Sequence, residues 1–80
     1  MTQLQQTIHK YNNTLLHEMF TEIVIIGKSE IPAEVICSPN MDFLFTFAKF
    51  ETTLWIRHYY LILETLKTEI LKRYLKGRIK

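Results

Sequence analysis

Residues 42–50 of this chain read Asp-Phe-Leu-Phe-Thr-Phe-Ala-Lys-Phe. Their alternation places Phe43, Phe45 and Phe47 on one side of an extended chain, which is the two-residue period of a β-strand. The helical period of 3.6 residues also fits, because Phe43, Phe47 and Phe50 follow one another at intervals of four and three. The assignment of residues 42–50 therefore decides between a fold that contains a sheet and a fold of helices alone.

Two shorter stretches with strand character lie upstream. Residues 22–26 read Glu-Ile-Val-Ile-Ile, and four consecutive β-branched residues favour a strand. Residues 33–37 form a second short apolar run. Turn-forming sequences at 27–32 and 38–40 separate the three runs. Together the runs predict a three-stranded antiparallel sheet within residues 22–50.

Helices are predicted on both sides of this sheet. Residues 3–20 carry apolar side chains at intervals of three and four, and Thr2 with Gln5 fits a capping box at their start. Residues 53–76 predict a second helix, whose last turns are basic, as the helix dipole favours, and Gly77 stands where a C′ glycine is expected. The main prediction is an α+β fold with the order αβββα, forming a single domain that spans all 80 residues.

An all-α helical hairpin is the alternative. Its first helix would cover about residues 3–26, with Gly27 at the end. Its second would cover about residues 39–76, because Ser38 and Pro39 suit the N-cap and the first helical position. A helix of nearly 40 residues is long for so short a chain, so the αβββα order is preferred.

The composition indicates more apolar surface than one small core can bury. The chain is 48% hydrophobic and 12% aromatic, and a domain of this length has little interior. Some apolar side chains should therefore lie on the surface and mark a binding patch. We expect a homodimer, or a contact with another protein, to cover them.

The sequence also indicates a location in the cytoplasm. Cys37 is the single cysteine, so an intrachain disulfide is excluded and an oxidising compartment is not expected. The N-terminal residues lack the charged and then apolar order of a signal peptide. Lys49, Glu51 and Arg57 interrupt the most apolar stretch, so no transmembrane segment is expected.

Catalytic and metal-binding patterns are not found in the sequence. Nucleophilic catalysis would need a serine or cysteine with a base beside it, and neither Ser29, Ser38 nor Cys37 has such a motif. His9 and His17 are eight residues apart, about 12 Å along a helix, which is too far for one metal ion. We therefore expect no enzymatic activity, no cofactor and no metal ion.

Two groups of apolar residues are predicted to contact a partner. The first is the aromatic set Phe43, Phe45 and Phe47. The second is a seam of leucines on the last helix with a seven-residue spacing that Thr68 completes, a spacing that partner helices use. Its members are Leu54, Leu61 and Leu75. These groups predict a small protein-interaction module: a homodimer, adaptor, inhibitor or chaperone-like accessory protein.

The charge distribution gives the alternative function. Residues 57–80 hold seven of the ten basic residues but only two of the eight acidic ones. Six of these cations could bind phosphates: Lys67, Lys72, Arg73, Lys76, Arg78 and Lys80. They suggest a nucleic-acid-binding regulator that uses the basic C-terminal helix, although complementation of the helix dipole explains the same charges.

Overall fold

The computed structural model describes residues 2–28, 38–52 and 54–78. Four α-helices form this part of the chain, and it contains no strand. The helices are α1 (Gln3–His9), α2 (Asn13–Lys28), α3 (Pro39–Glu51) and α4 (Trp55–Arg78).

The predicted αβββα order, and with it the α+β class, is therefore wrong. Residues 22–26 belong to α2 and residues 42–50 belong to α3. The third predicted strand, 33–37, lies outside the described residues. The all-helical alternative fits the structure, with its first long helix divided into α1 and α2 and its second divided into α3 and α4.

Side-chain caps explain why the first predicted helix becomes two. The capping box is confirmed, because Thr2 Oγ1 accepts from the backbone N–H of Gln5 and Gln5 Oε1 accepts from that of Thr2. At the interruption, Asn12 Oδ1 accepts from the backbone N–H of Leu15 at 2.8 Å. This bond satisfies one of the free N–H groups at the start of α2. Asn12 therefore starts a new helix where the apolar periodicity alone predicted a continuous one.

Burial explains why the β-branched run 22–26 is helical. Ile23 and Ile26 are three residues apart, so they share one side of α2, and both are buried in the core. Burying an isoleucine side chain contributes about 1.5–3 kcal/mol, whereas its helix propensity costs less than about 0.7 kcal/mol. Ile25 points away from the core and is 56% exposed.

The start of α3 is fixed by a contact between distant parts of the chain. Ser38 is the N-cap, and its Oγ accepts from the backbone N–H of Met41 at 3.3 Å. The backbone N–H and the hydroxyl of Ser38 donate to the Glu22 carboxylate, at 2.7 and 2.8 Å. From this anchored start, α3 buries Met41, Leu44 and Ala48, whose spacing of three and four is helical.

Helix α4 is the central element, because it packs against α1, α2 and α3. Its 24 residues extend over about 36 Å, and Ile62 and Leu66 are fully buried along the packed side. The predicted helix over 53–76 is thus confirmed, with ends at Trp55 and Arg78. Gly77 lies within α4 and no described glycine has a positive φ, so its predicted role as a C′ residue is wrong.

Gly27 is required by a close approach between helices. It lies inside α2, where the sequence predicted a turn or a helix end. A Cβ atom at this position would overlap the ring of Tyr59 on α4. The absence of a side chain at Gly27 therefore leaves room for the phenol of Tyr59 against the backbone of α2.

A buried carboxylate joins three helices. Glu69 on α4 is 8% exposed, and its Oε1 lies 3.1 Å from both His9 Nδ1 and Arg73 Nε. The Arg73 guanidinium also donates to Asn13 Oδ1 at 2.9 Å and to the carbonyl of His9 at 3.1 Å. This network ties the end of α1 and the start of α2 to α4.

The connection between α3 and α4 is fixed by His58, which is buried. Its Nε2 donates to the carbonyl of Thr52 at 2.7 Å, and the backbone N–H of Thr52 donates to the carbonyl of Ala48 at 3.1 Å. The His58 Nδ1 atom has no hydrogen-bond partner among the described residues. The imidazole therefore holds α3 at a set position beside α4.

The substitution Glu69→Ala tests the buried network. Hydrogen bonds to charged groups contribute about 1.5–3 kcal/mol each. Loss of the Glu69 carboxylate should therefore lower the melting temperature by at least about 6 °C in a domain of this size. Glu64→Ala is the matched control, because Glu64 is an exposed glutamate on the same helix. Thermal unfolding followed by circular dichroism measures both variants, and equal melting temperatures would contradict the network's role.

Candidate protein-binding surface

Helix α3 presents a row of three phenylalanines, Phe43, Phe47 and Phe50, which we call the aromatic stripe. Phe43 and Phe50 are seven residues apart, so they lie within about 20° of each other around the helix and about 10.5 Å apart along it. They point away from the core and are 61% and 81% exposed. Phe47 borders them and packs partly against the core. The stripe is thus anchored on one edge and open on the other.

Charged residues flank the stripe on the side opposite Phe47. Asp42 lies in the first turn of α3 and Lys49 lies in its last turn. Both are exposed, and their spacing of seven residues places them along one flank of the helix. The hydroxyl of Thr46 lies between them and donates to the backbone carbonyl of Asp42 at 2.9 Å. The flank therefore carries an anion at one end and a cation at the other.

Phe45 is separated from this surface. Two residues rotate a helix by about 200°, so Phe45 lies on nearly the opposite side of α3 from Phe43. It is partly buried and packs against the core. The grouping of Phe43, Phe45 and Phe47 assumed a strand, and the helix replaces it with Phe43, Phe47 and Phe50. The predicted set did not include Phe50, although the helical spacing in the sequence places it beside Phe43 and Phe47.

The structure does not bring the three predicted seam leucines together on one exposed face. Leu54 is exposed but lies in the connection before α4. Leu61 packs partly against the core. Leu75 is exposed near the end of α4. Leu61 and Leu75 therefore share a helical side but differ in burial, and Leu54 is not part of that helix.

Further exposed apolar residues were not predicted as contacts. Tyr60, Leu71 and Tyr74 on α4 are each at least half exposed, as is Ile25 on α2. Leu71, Tyr74 and Leu75 occupy neighbouring positions near the end of α4. They form a second apolar area, smaller in aromatic content than the stripe.

An open groove of about 320 Å³ lies between α1 and α4. Gln5 and Ile8 of α1 line it together with residues of α4 that include Leu61, Glu64 and Lys72. Its lining mixes apolar, acidic and basic groups. It is an open surface groove between two packed helices.

The basic residues of α4 are divided between two sides of the helix: the exposed Lys72 and Lys76 are about 40° apart, and Lys67 lies on another side. Arg73 uses its guanidinium within the fold, on Glu69 and on α1 and α2. Lys67 and Lys72 are exposed but lie about 140° apart around the helix. Lys76 is exposed near the helix end, where Arg78 is the last helical residue, and Lys80 lies outside the described residues.

Of the residues considered for catalysis or metal binding, three make hydrogen bonds within the fold and two lie outside the described residues. Ser38 caps α3, His9 contacts Glu69, and His58 holds Thr52. Cys37 and Ser29 are outside the described residues. Among the residues that are described, no three histidine, cysteine or acidic side chains are grouped as metal ligands.

In the part of the chain that the structure describes, the Tyr11 phenol has a clearly shifted pKa. Burial raises the pKa of the Tyr11 phenol above its ordinary value, because removal from water disfavours the charged phenolate. Tyr11 packs beside the core, next to the junction of α1 and α2. Its phenol therefore stays neutral, and it acts as a packing residue.

No helix in the described parts of the chain is both long enough and apolar enough to cross a membrane. Comparison with known proteins gives no relative: no protein-family model, no curated protein and no solved structure matches the sequence or the fold. The function of the surface must therefore be inferred from its own geometry.

Two matched substitutions on α3 test which phenylalanine belongs to the surface. Phe45→Asp should lower the melting temperature by about 5–15 °C, because it removes packing worth about 1–3 kcal/mol and places a charge against the core. Phe50→Asp should change it by less than about 3 °C, since surface substitutions usually shift stability by under about 0.5 kcal/mol. Circular dichroism at about 5 µM protein measures both. A stable Phe45→Asp variant beside an unstable Phe50→Asp variant would contradict the assignment.

Proposed function

We propose that this chain is a small protein-interaction module, and that the aromatic stripe on α3 is its contact surface. The observation that carries the proposal is the outward position of Phe43 and Phe50 on one helical side, with Phe50 81% exposed. A phenylalanine side chain can bury about 150–250 Å² in a contact. At about 25 cal/mol per Å², covering both rings would contribute several kcal/mol before the cost of association is subtracted.

The spacing of the stripe suits a helical partner or a groove that accepts a helix. Residues at i, i+4 and i+7 are the anchors by which one helical face is recognised. Aromatic residues are enriched at protein interfaces, where they fill pockets on the partner. Phe47 supports this role, because its partial burial fixes the middle of the stripe against the core. Such a surface fits an adaptor, an inhibitor, a chaperone-like accessory protein or a homodimer.

We place this activity in the cytoplasm. The proposal rests on the single cysteine, Cys37, which can form no intrachain disulfide. Catalysis forms no part of the proposal, because the serine and histidine hydrogen bonds described above are used in capping and packing.

The nucleic-acid alternative has weaker support. Arg73 is engaged in the fold, and Lys67 and Lys72 point in different directions, so they do not form the basic face that phosphate binding uses. The alternative stays a prediction, and a nuclease arm in the experiment below tests it directly.

Affinity capture with matched baits tests the proposed function. The tagged chain, its Phe50→Asp variant and its Leu71→Asp variant are each incubated with extract of the cells that express it, with and without nuclease, and bound proteins are identified by mass spectrometry. Leu71 is a suitable control because it is also an exposed apolar residue, on α4. We expect the parent and the Leu71→Asp variant to retain the same partner and the Phe50→Asp variant to lose it at least tenfold.

Two results would contradict the proposal. Equal capture by the Phe50→Asp variant and the parent would show that the stripe is not the contact surface. Loss of the bound proteins after nuclease treatment would favour the nucleic-acid alternative instead.

A further inference from the structure

The flank of the aromatic stripe has a charge pattern that complements itself. Asp42 and Lys49 are both exposed, stand seven residues apart on one flank of α3, and have no ion-pair partner among the described residues. In heptad terms, Phe43 and Phe50 occupy successive a positions, and Asp42 and Lys49 occupy successive g positions. Charges at such flanking positions set the orientation in which two helices pair.

We propose that the stripe binds α3 of a second copy of this chain, with the two helices antiparallel. The inference rests on the proposed function and names the partner of the same surface. A two-fold axis near Thr46 would place Phe43 of each copy beside Phe50 of the other. The same axis brings identical flanks together, so Asp42 of each copy faces Lys49 of the other, and two ion pairs form.

A parallel arrangement of two copies would not form these pairs. In a parallel pair, a g position faces an e position of the partner helix. The e position beside Asp42 would be occupied by Phe47, which is uncharged. The charges on α3 therefore select the antiparallel arrangement.

The size of the surface indicates a weak dimer. Phe43 and Phe50 of two copies would bury roughly 600 Å² of ring surface, from their exposed fractions and the typical area of a phenylalanine side chain. Stable interfaces usually bury more than about 1,200 Å², so the flanks and neighbouring side chains must add to the contact. We therefore expect a dimer that forms only at micromolar or higher concentrations of the chain.

A charge exchange between Asp42 and Lys49 tests the arrangement by sedimentation equilibrium from about 5 to 500 µM. Asp42→Lys alone would set two pairs of cations against each other, and Lys49→Asp alone would set two pairs of anions against each other. Each single variant should weaken the dimer at least about fivefold. The double variant should return to within about threefold of the parent, because both ion pairs form again with their signs reversed. Phe50→Asp, and independently Phe43→Asp, should weaken self-association more than tenfold.

An effect confined to each monomer predicts the opposite order. Asp42 and Lys49 both complement the dipole of α3, so the double variant has the least favourable helix of the set. Recovery of the dimer in the double variant therefore requires contact between copies. Melting curves at about 5 µM confirm that each variant is folded.

Three outcomes would overturn the inference. They are a parent chain that is monomeric at about 500 µM, a folded double variant that associates no better than the single variants, and a Phe50→Asp variant that dimerises like the parent. A monomeric parent that still captures another protein through Phe50 would leave the proposed function in place. Loss of the Phe50 effect in both experiments would remove both.

Discussion

The other three helices are held together by their packing against one buried side of α4. Ile62 and Leu66 lie fully buried on that side, and α1, α2 and α3 each pack against it. Three specific contacts set the positions of these helices against α4. They are the Glu69 network at the junction of α1 and α2, the contact of Gly27 on α2 with Tyr59, and the His58 hydrogen bond at the end of α3. Burial of apolar surface on α4 thus supplies the main driving force, and polar contacts select the geometry.

This arrangement explains why α3 has an uncovered side. Helix α3 packs against α1, α2 and α4, and it buries Met41, Leu44 and Ala48 in the core. Phe43 and Phe50 lie on the side of α3 that faces away from these buried residues, so they remain in contact with water. Exposed apolar side chains that adjoin one another on a surface mark sites of interaction. The same geometry that completes the core therefore leaves the surface from which we infer binding.

The parts of the fold that could be predicted are those set by residues close together in the sequence. The capping box at Thr2 and the long α4 were predictable because local sequence determines them. The residues 42–50 were not, since their phenylalanines fit both periods. The contact that favours the helix, from Glu22 to Ser38, joins residues far apart in sequence and leaves no local pattern. For the candidate site, the excess of apolar surface could be predicted from the composition. The grouping of its residues could not, because the two-residue strand period placed Phe45 beside Phe43, whereas the helix places Phe50 there.

Phe43 and Phe50 face the same outer side of the molecule because residues 42–50 form a helix. Backbone nuclear magnetic resonance of the intact chain tests it most directly, through Cα chemical shifts and the contacts between each α proton and the amide proton three residues later. A helix displaces the Cα shifts in the helical direction throughout 42–50, and we expect the α-proton to amide-proton contacts along the whole segment, including the one from Phe47 to Phe50. Cα shifts displaced in the strand direction, together with a ladder of proton contacts between residues 42–50 and 22–26, would contradict a helix at 42–50.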